Sequence, residues 1–346
     1  VAAETNWLRD LVRRPLVQAP MAGGPSRPEL AAAVSNAGGL GFLAAGYKHP
    51  DDVRDEIART RALTDAPFGV NVFVPSDGPV SDPRLDRWLD QLRLLARDDG
   101  VELGDARWHD DHWDAKVALL LADPVPVVSF AFGCPSRDVV LALQAAGSRV
   151  VVTVTNADDA VIAAARGADA VCAQGIEAGA HRGGYDDTPA HDHLALDHLL
   201  ASVRAATSVP VIAAGGLMDA DDLARVLAGG AVAGQLGTAF LLCPESGANE
   251  TYRRALADAT FTRTDLTRAF TGRRARGLVN RFMLEHPDAP SGYPQVNDAT
   301  RPMRTAAARR GDPQRMSLWA GTGWQRAEAR PAAEVVERVA EGAARS

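Results

Sequence analysis

The stretch "RVVVTVTNADDAVIAAARGADAVCAQG" (149–175) decides the fold. Its opening run, "RVVVTVT" (149–155), is apolar and β-branched with no turn residue, as suits a strand buried on both faces. Asn156 then offers a side-chain oxygen to the free amides of a helix start, and "NADDAVIAAARGA" runs as an Ala-rich amphipathic helix to a stop at Gly167. A second apolar run, "AVCAQG" (170–175), follows at once. Strand, helix and strand in so short a length read as a parallel βαβ unit.

The same unit recurs outward in both directions. Strands are expected at "PLVQAPM" (15–21), "GLGFLAA" (39–45), "FGVNVFV" (68–74) and "VPVVSFAFG" (125–133), and again at "VPVIAAGG" (209–216) and "AGQLGTAFLL" (233–242). Segments such as "RPELAAAVSNAG", "SRDVVLALQAAG" and "DADDLARVLAGG" alternate with them, opening on Pro, Ser or Asp and closing on Gly. About eight such units predict an α/β protein with a (β/α)8 TIM-like barrel; a doubly wound open sheet is the competing arrangement.

Two regions break the rhythm. Residues 76–122 are too long and too charged for one βα loop, and residues 246–315 are polar and Arg-rich without a strand-helix repeat. The expected division is barrel over 1–75 and 123–245, an insertion over 76–122, a lid on the substrate side over 246–315, and a closing C-terminal helix within 316–346.

The 346 residues carry 37 basic and 44 acidic side chains, a formal net charge of −7 that argues against nucleic acid as a partner. Cys134, Cys172 and Cys243 form no C-x-x-C pair, and three thiols suit a reducing compartment better than a disulfide framework. No run of about 18 apolar residues occurs, and "VAAETNWLRDLVRRPLV" lacks an apolar core of signal-peptide length, so a soluble cytoplasmic protein with no membrane partner is expected.

In a barrel of this kind, chemistry sits at the C-terminal ends of the strands and phosphate binds after strands seven and eight. There the chain has Gly215 and Gly216, then Gln235, Gly237 and Thr238; glycines let backbone amides approach an anion closely. Asn71 sits inside the apolar "GVNVFV", Gln18 inside "LVQAPM", and Gln174 ends strand six. Three carboxamides aimed at one mouth suit a flat heterocycle with alternating donors and acceptors, while each could instead cap a neighbouring loop. His181 is the acid-base candidate, seven residues beyond Gln174, with Gly179, Gly183 and Gly184 expected to leave room for a ligand beside the ring. "HDHLALDH" (191–198) lacks metal-ligand spacing, so no metal is expected. No G-x-S-x-G elbow, P-loop or early G-x-G-x-x-G appears.

"QAPMAGGPSRPELAAAVSNAGGLGFLAAG" (18–46), "GVNVFVP" (69–75), "CAQGIEAGAHRGG" (172–184), "IAAGG" (212–216) and "GQLGTAFLLCPES" (234–246) together resemble the nitronate monooxygenases, FMN-dependent barrel enzymes. The resemblance spans nearly the whole chain. It implies non-covalent FMN, with Gln18, Ala19, Met21, Asn71, Gln174, Gly179, Gly215, Gly216, Gln235, Gly237 and Thr238 as cofactor contacts and His181 as the active-site histidine. It also implies that a nitronate or nitroalkane reduces the flavin, that O2 reoxidises it, and that a carbonyl compound and nitrite leave. Tyr293, in "SGYPQVNDATRP", resembles the substrate-side tyrosine region.

Departures stand out. Ala180 replaces the second of two glycines before the histidine, and Ala131 stands where some relatives carry another histidine. "GTGW" (321–324) differs from a usual Gly-Gln pairing. Two other readings follow from the same residues: an FMN-dependent enoyl-acyl-carrier-protein reductase fed by NAD(P)H, and a barrel that holds FMN without turnover.

Overall fold

The structure is a computed structural model and describes residues 7–345. The strands of the described residues, in chain order, are β1 (Leu16–Gln18), β2 (Gly41–Ala44), β3 (Phe68–Phe73), β4 (Val127–Ala131), β5 (Arg149–Val154), β6 (Ala170–Gln174), β7 (Ala180–His181), β8 (Val211–Ala214), β9 (Ala233–Leu236), β10 (Thr264–Thr267) and β11 (Ala275–Leu278). Eight of them form one parallel sheet in the order β1-β9-β8-β6-β5-β4-β3-β2, and the parallel bridge Val17–Leu40 joins its two ends. The sheet is therefore a closed (β/α)8 barrel, and the open-sheet alternative falls. Each barrel strand lies within its expected run.

Both faces of the barrel strands are buried, which explains their continuous apolar sequence. Val17, Phe42, Val127, Val151, Cys172 and Ile212 fill the barrel interior. Trp7 and Leu8, on the short helix Trp7–Leu11, join that interior cluster, and Trp7 Nε1 donates to the carbonyl of Asp169 at 3.1 Å. Leu43, Val70, Val128, Val152, Val171 and Ala213 face the surrounding helices. The helices start as their sequences predict: Asn156 Oδ1 accepts from the amide of Asp159 at 2.8 Å, and Asp219 Oδ1 from that of Asp222 at 3.1 Å. Gly167 ends its helix at φ +94°. The helix Ala332–Ala343 packs on Ala220–Ala228 and Pro28–Asn36, between the last and first barrel helices.

A second, three-stranded antiparallel sheet stands over the mouth, in the order β10-β11-β7. The helices Leu85–Asp98 and Gln295–Arg310 lie beside it and share a core of Leu85, Trp88, Leu92, Phe270, Phe282 and Val296. Helix Trp113–Ala122 packs instead against barrel helices Pro50–Leu63 and Arg137–Ala145. No helix of the described residues is long and apolar enough to cross a membrane.

Candidate active site

His181 does not hang in a pliable loop. It is a strand residue, paired with Ala275 of β11, while Ala180 pairs with Arg276. Gln174, at the end of β6, ties the segment down from below: its Oε1 accepts from the amide of Gly183 at 2.8 Å and its Nε2 donates to the carbonyl of His181 at 3.1 Å. Arg182, 1% exposed, donates to the carbonyls of Gly175 (2.6 Å) and Gln174 (2.7 Å) and holds the Asp192 carboxylate at 2.6 and 2.9 Å. The glycines here serve close packing rather than ligand room. A Cβ on Gly183 would lie 2.6 Å from Thr153 Cγ2, and one on Gly179 would lie 2.6 Å from the carbonyl carbon of Ala320.

The ring of His181 is half-buried among Phe132, Tyr293 and Trp319, with centroids 5.6, 5.5 and 5.8 Å away. Nε2 lies 2.9 Å from Thr271 Oγ1. Burial, followed by the nearby guanidinium groups of Arg273 and Arg304, pushes the imidazole pKa down to about 3. His181 is therefore neutral at physiological pH. Arg273 stacks 4.2 Å over the centroid of Phe132 and donates to the carbonyls of Arg182 and Gly184. Arg304 donates to the carbonyl of Asn297 at 2.7 Å, and burial lowers its pKa to about 10. Among the described residues neither guanidinium has a carboxylate partner, so the potential beside His181 favours an anion.

Tyr293 also meets Tyr47, hydroxyl to hydroxyl at 3.4 Å. Outside this wall lies a cavity of about 480 Å³, bounded inside by Phe73, Phe132, Arg273 and Tyr293 and at its rim by Asp77 and Asp186.

At the late strands Gly215 and Gly216 take φ +123° and +72°, conformations that only glycine adopts without strain. Thr238 Oγ1 accepts from the amide of Gly321 at 3.0 Å, and a Cβ on Gly216 would lie 3.4 Å from Thr322 Oγ1. The strand ends thus converge on the Gly321–Thr322 turn. A Cβ on Gly237 would lie 3.3 Å from Ala19 Cβ and 3.8 Å from Met21 Sδ, which brings the first and last strand ends together. Gln235 is half-buried, and its carboxamide has no hydrogen-bond partner among the described residues.

A family model described as nitronate monooxygenase matches residues 6–342. The chain belongs to the nitronate monooxygenase family. It is 44% identical over 338 residues to the nitronate monooxygenase of Pseudomonas aeruginosa, covering 95% of this chain and 96% of that one. A nitronate monooxygenase of Paraburkholderia phytofirmans is 40% identical, over 95% and 92% of the two chains. Among solved structures, a nitroalkane oxidase from Streptomyces ansochromogenes is 52% identical with a TM-score of 0.95, covering 98% of each chain. FabK from Thermotoga maritima is 28% identical with a TM-score of 0.73, over 98% and 96%.

Nitronate monooxygenases are flavin-dependent, and the donor set here suits a flavin. The unpartnered carboxamide of Gln235 and the positive-φ glycines that follow β8 offer polar groups and bare backbone at the strand ends, and Gly215 and Gly216 lie against the Gly175–Ala178 segment that leads to His181. The remaining carboxamides are engaged within the protein. Gln18 is fully buried, its Oε1 accepting from Phe42 N and its Nε2 donating to Ser26 Oγ, both at 2.9 Å. Ser26 Oγ in turn accepts from Met21 N at 2.9 Å, so Gln18 supports the Ala19–Met21 turn. Asn71 Nδ2 donates to Ser129 Oγ at 2.9 Å.

Thr271, Arg273, Arg304, Trp319, Phe132 and Tyr47 join the site without having been marked in the sequence. All but Phe132 and Tyr47 come from late in the chain, beyond the strand-helix repeat, where no spacing announces a role. Phe132 carried one signal, its place at the expected end of strand four; its φ of +73° did not show.

Proposed function

We propose that this chain is an FMN-dependent oxidoreductase that converts nitroalkanes and nitronates, with O2, to a carbonyl compound and nitrite. The observation that carries the reading is the placement of the His181 ring by the pairing of β7 with β11, enclosed by Phe132, Tyr293 and Trp319 and in the field of Arg273 and Arg304, which favours its neutral form. Gly215, Gly216, Gly237 and Thr238 would hold the phosphate, and Gln174, Gln235, Gly179, Asn71 and the Ala19–Met21 turn, backed by Gln18, would border the ring system. When bound, FMN supplies the electron acceptor and the path to O2.

The chain's own residues supply the proton chemistry. A neutral nitroalkane has an acidic Cα–H, and a neutral imidazole is in the correct form to accept that proton. The electron pair left on carbon delocalises into the nitro group, and the resulting anion lies in the field of Arg273 and Arg304. Its charge also offsets that of the new imidazolium. Phe132, Tyr293 and Trp319 exclude water from the ring, which strengthens these interactions. Tyr293 borders the same space and is assigned to the substrate side.

Three buried free thiols favour placing the protein in a reducing cytoplasm. Anaerobic mixing of the flavin-loaded protein with a panel of nitroalkanes and nitronates tests the reading; bleaching by these and not by NAD(P)H is expected. Rapid bleaching by NAD(P)H alone transfers the protein to the enoyl reductase side of the fold.

A further inference from the structure

Building on the reading of His181 as the base, we propose that Thr271 is a positioning residue. It holds the imidazole in its Nε2–H form and so makes Nδ1 the proton-accepting atom.

Counting hydrogens fixes the tautomer. A threonine hydroxyl has one proton to donate. Thr271 Oγ1 lies 3.0 Å from the carbonyl of Arg273, which can only accept, so the hydroxyl proton is directed there. What remains on Oγ1 is acceptor capacity. His181 Nε2, at 2.9 Å, therefore faces a lone pair and must present a hydrogen to it. The opposite tautomer would turn the hydroxyl away and leave a buried carbonyl without its donor, since Thr271 is 1% exposed and Arg273 9% exposed. No hydrogen bond among the described residues engages Nδ1.

The pairing that places the ring also places its acceptor. Thr271 and Arg273 lead directly into β11, whose Ala275 is the partner of His181. One segment thus fixes both the position and the protonation pattern of the base. In the reaction the substrate Cα–H bond breaks, its electrons stay on the nitro compound and the proton arrives at Nδ1. The Nε2–H donation to Thr271 persists in the imidazolium, so Thr271 itself exchanges no proton.

The test is ¹⁵N imidazole NMR of the full chain, flavin-free and flavin-loaded, with His181→Asn identifying the resonances. Wild type should show a protonated Nε2 and a bare Nδ1 from about pH 5 to pH 8, the window in which an ordinary histidine titrates. Thr271→Val, which removes the hydroxyl at constant shape, should mix the tautomers. It should also lower kcat with nitroalkanes by about tenfold to hundredfold with little change in KM. Thr271→Ser should restore both. A protonated Nδ1 in the wild type, or an unchanged tautomer in Thr271→Val, overturns the proposal; if the valine variant does not fold, the wild-type and serine spectra decide it. A protonated Nε2 in a protein that no nitroalkane reduces supports the role of Thr271 and removes only the proposed function.

Discussion

Ala180 takes φ +63°, in the left-handed region where a Cβ crowds the backbone. The residue sits one step before His181, in β7. Strand pairing with Arg276 holds the alanine in a conformation it disfavours. Ala180→Gly is expected to stabilise the protein by up to about 1 kcal/mol in urea unfolding, because glycine relieves that strain and its unfolded-state entropy offsets only part of the gain. At the neighbouring position, His181→Asn should lower anaerobic flavin reduction by a nitroalkane by about 10² to 10⁴. The variant should oxidise a preformed nitronate far better than it oxidises the parent nitroalkane, since the nitronate has already lost its proton. Equal losses on the two substrates would remove the imidazole from the proton-transfer role.

One element up, β7 is a two-residue strand held by its pairing with β11 and by side chains that clamp its flank. Arg182 and Asp192 are each 1% exposed, and Asp192 also faces Arg274 at 3.6 Å. A buried pair of this kind adds little net stability when intact but is costly to halve. Asp192→Ala should therefore destabilise the protein by about 3–5 kcal/mol, measured by chemical denaturation, by leaving the Arg182 guanidinium buried without its counterion. Replacing Arg182 with Met in the same chain should recover much of that loss. β11 complements the clamp, since it carries the pairing for His181 along one edge and continues, at its N-terminal end, from Arg273 and Thr271.

For the whole molecule, the protonation of His181 links stability to pH. Its folded pKa lies near 3 and the unfolded value near 6.5, so between these limits the unfolded chain binds the proton and the folded chain does not. This contribution makes stability fall as pH drops from about 6.5 toward 3, and it vanishes above about 6.5. Thermal melts across that range should show a steeper acid limb for wild type than for His181→Asn. A flavin that binds the folded state alone would act in the opposite sense, adding stability. Removing FMN held at 100 times its dissociation constant should cost about 2.7 kcal/mol, visible as a lowered melting temperature. A melt unaffected by added FMN would remove the cofactor from the late-strand mouth.

The barrel was legible because each unit announces itself locally. A doubly buried strand must be apolar throughout, as at 149–154, and a helix must satisfy its first amides, as Asn156 and Asp219 do. His181 was legible too, as the titratable side chain following a strand end. Its surroundings were not. The glycines around it read as space for a ligand, whereas Gly179 and Gly183 are needed for close approach to Ala320 and Thr153. Gln174 does end its strand, and Gln18, expected inside its run, ends β1; the amides of both are bound to the chain itself. Thr271, Arg273 and Arg304 lie about 90 to 120 positions away from His181 along the chain, and no periodicity marks them. Local hydrogen bonding and burial on both faces set the strands and helices from sequence alone. The surroundings of the imidazole depend on long-range pairing between β7 and β11, which only the folded chain brings into being.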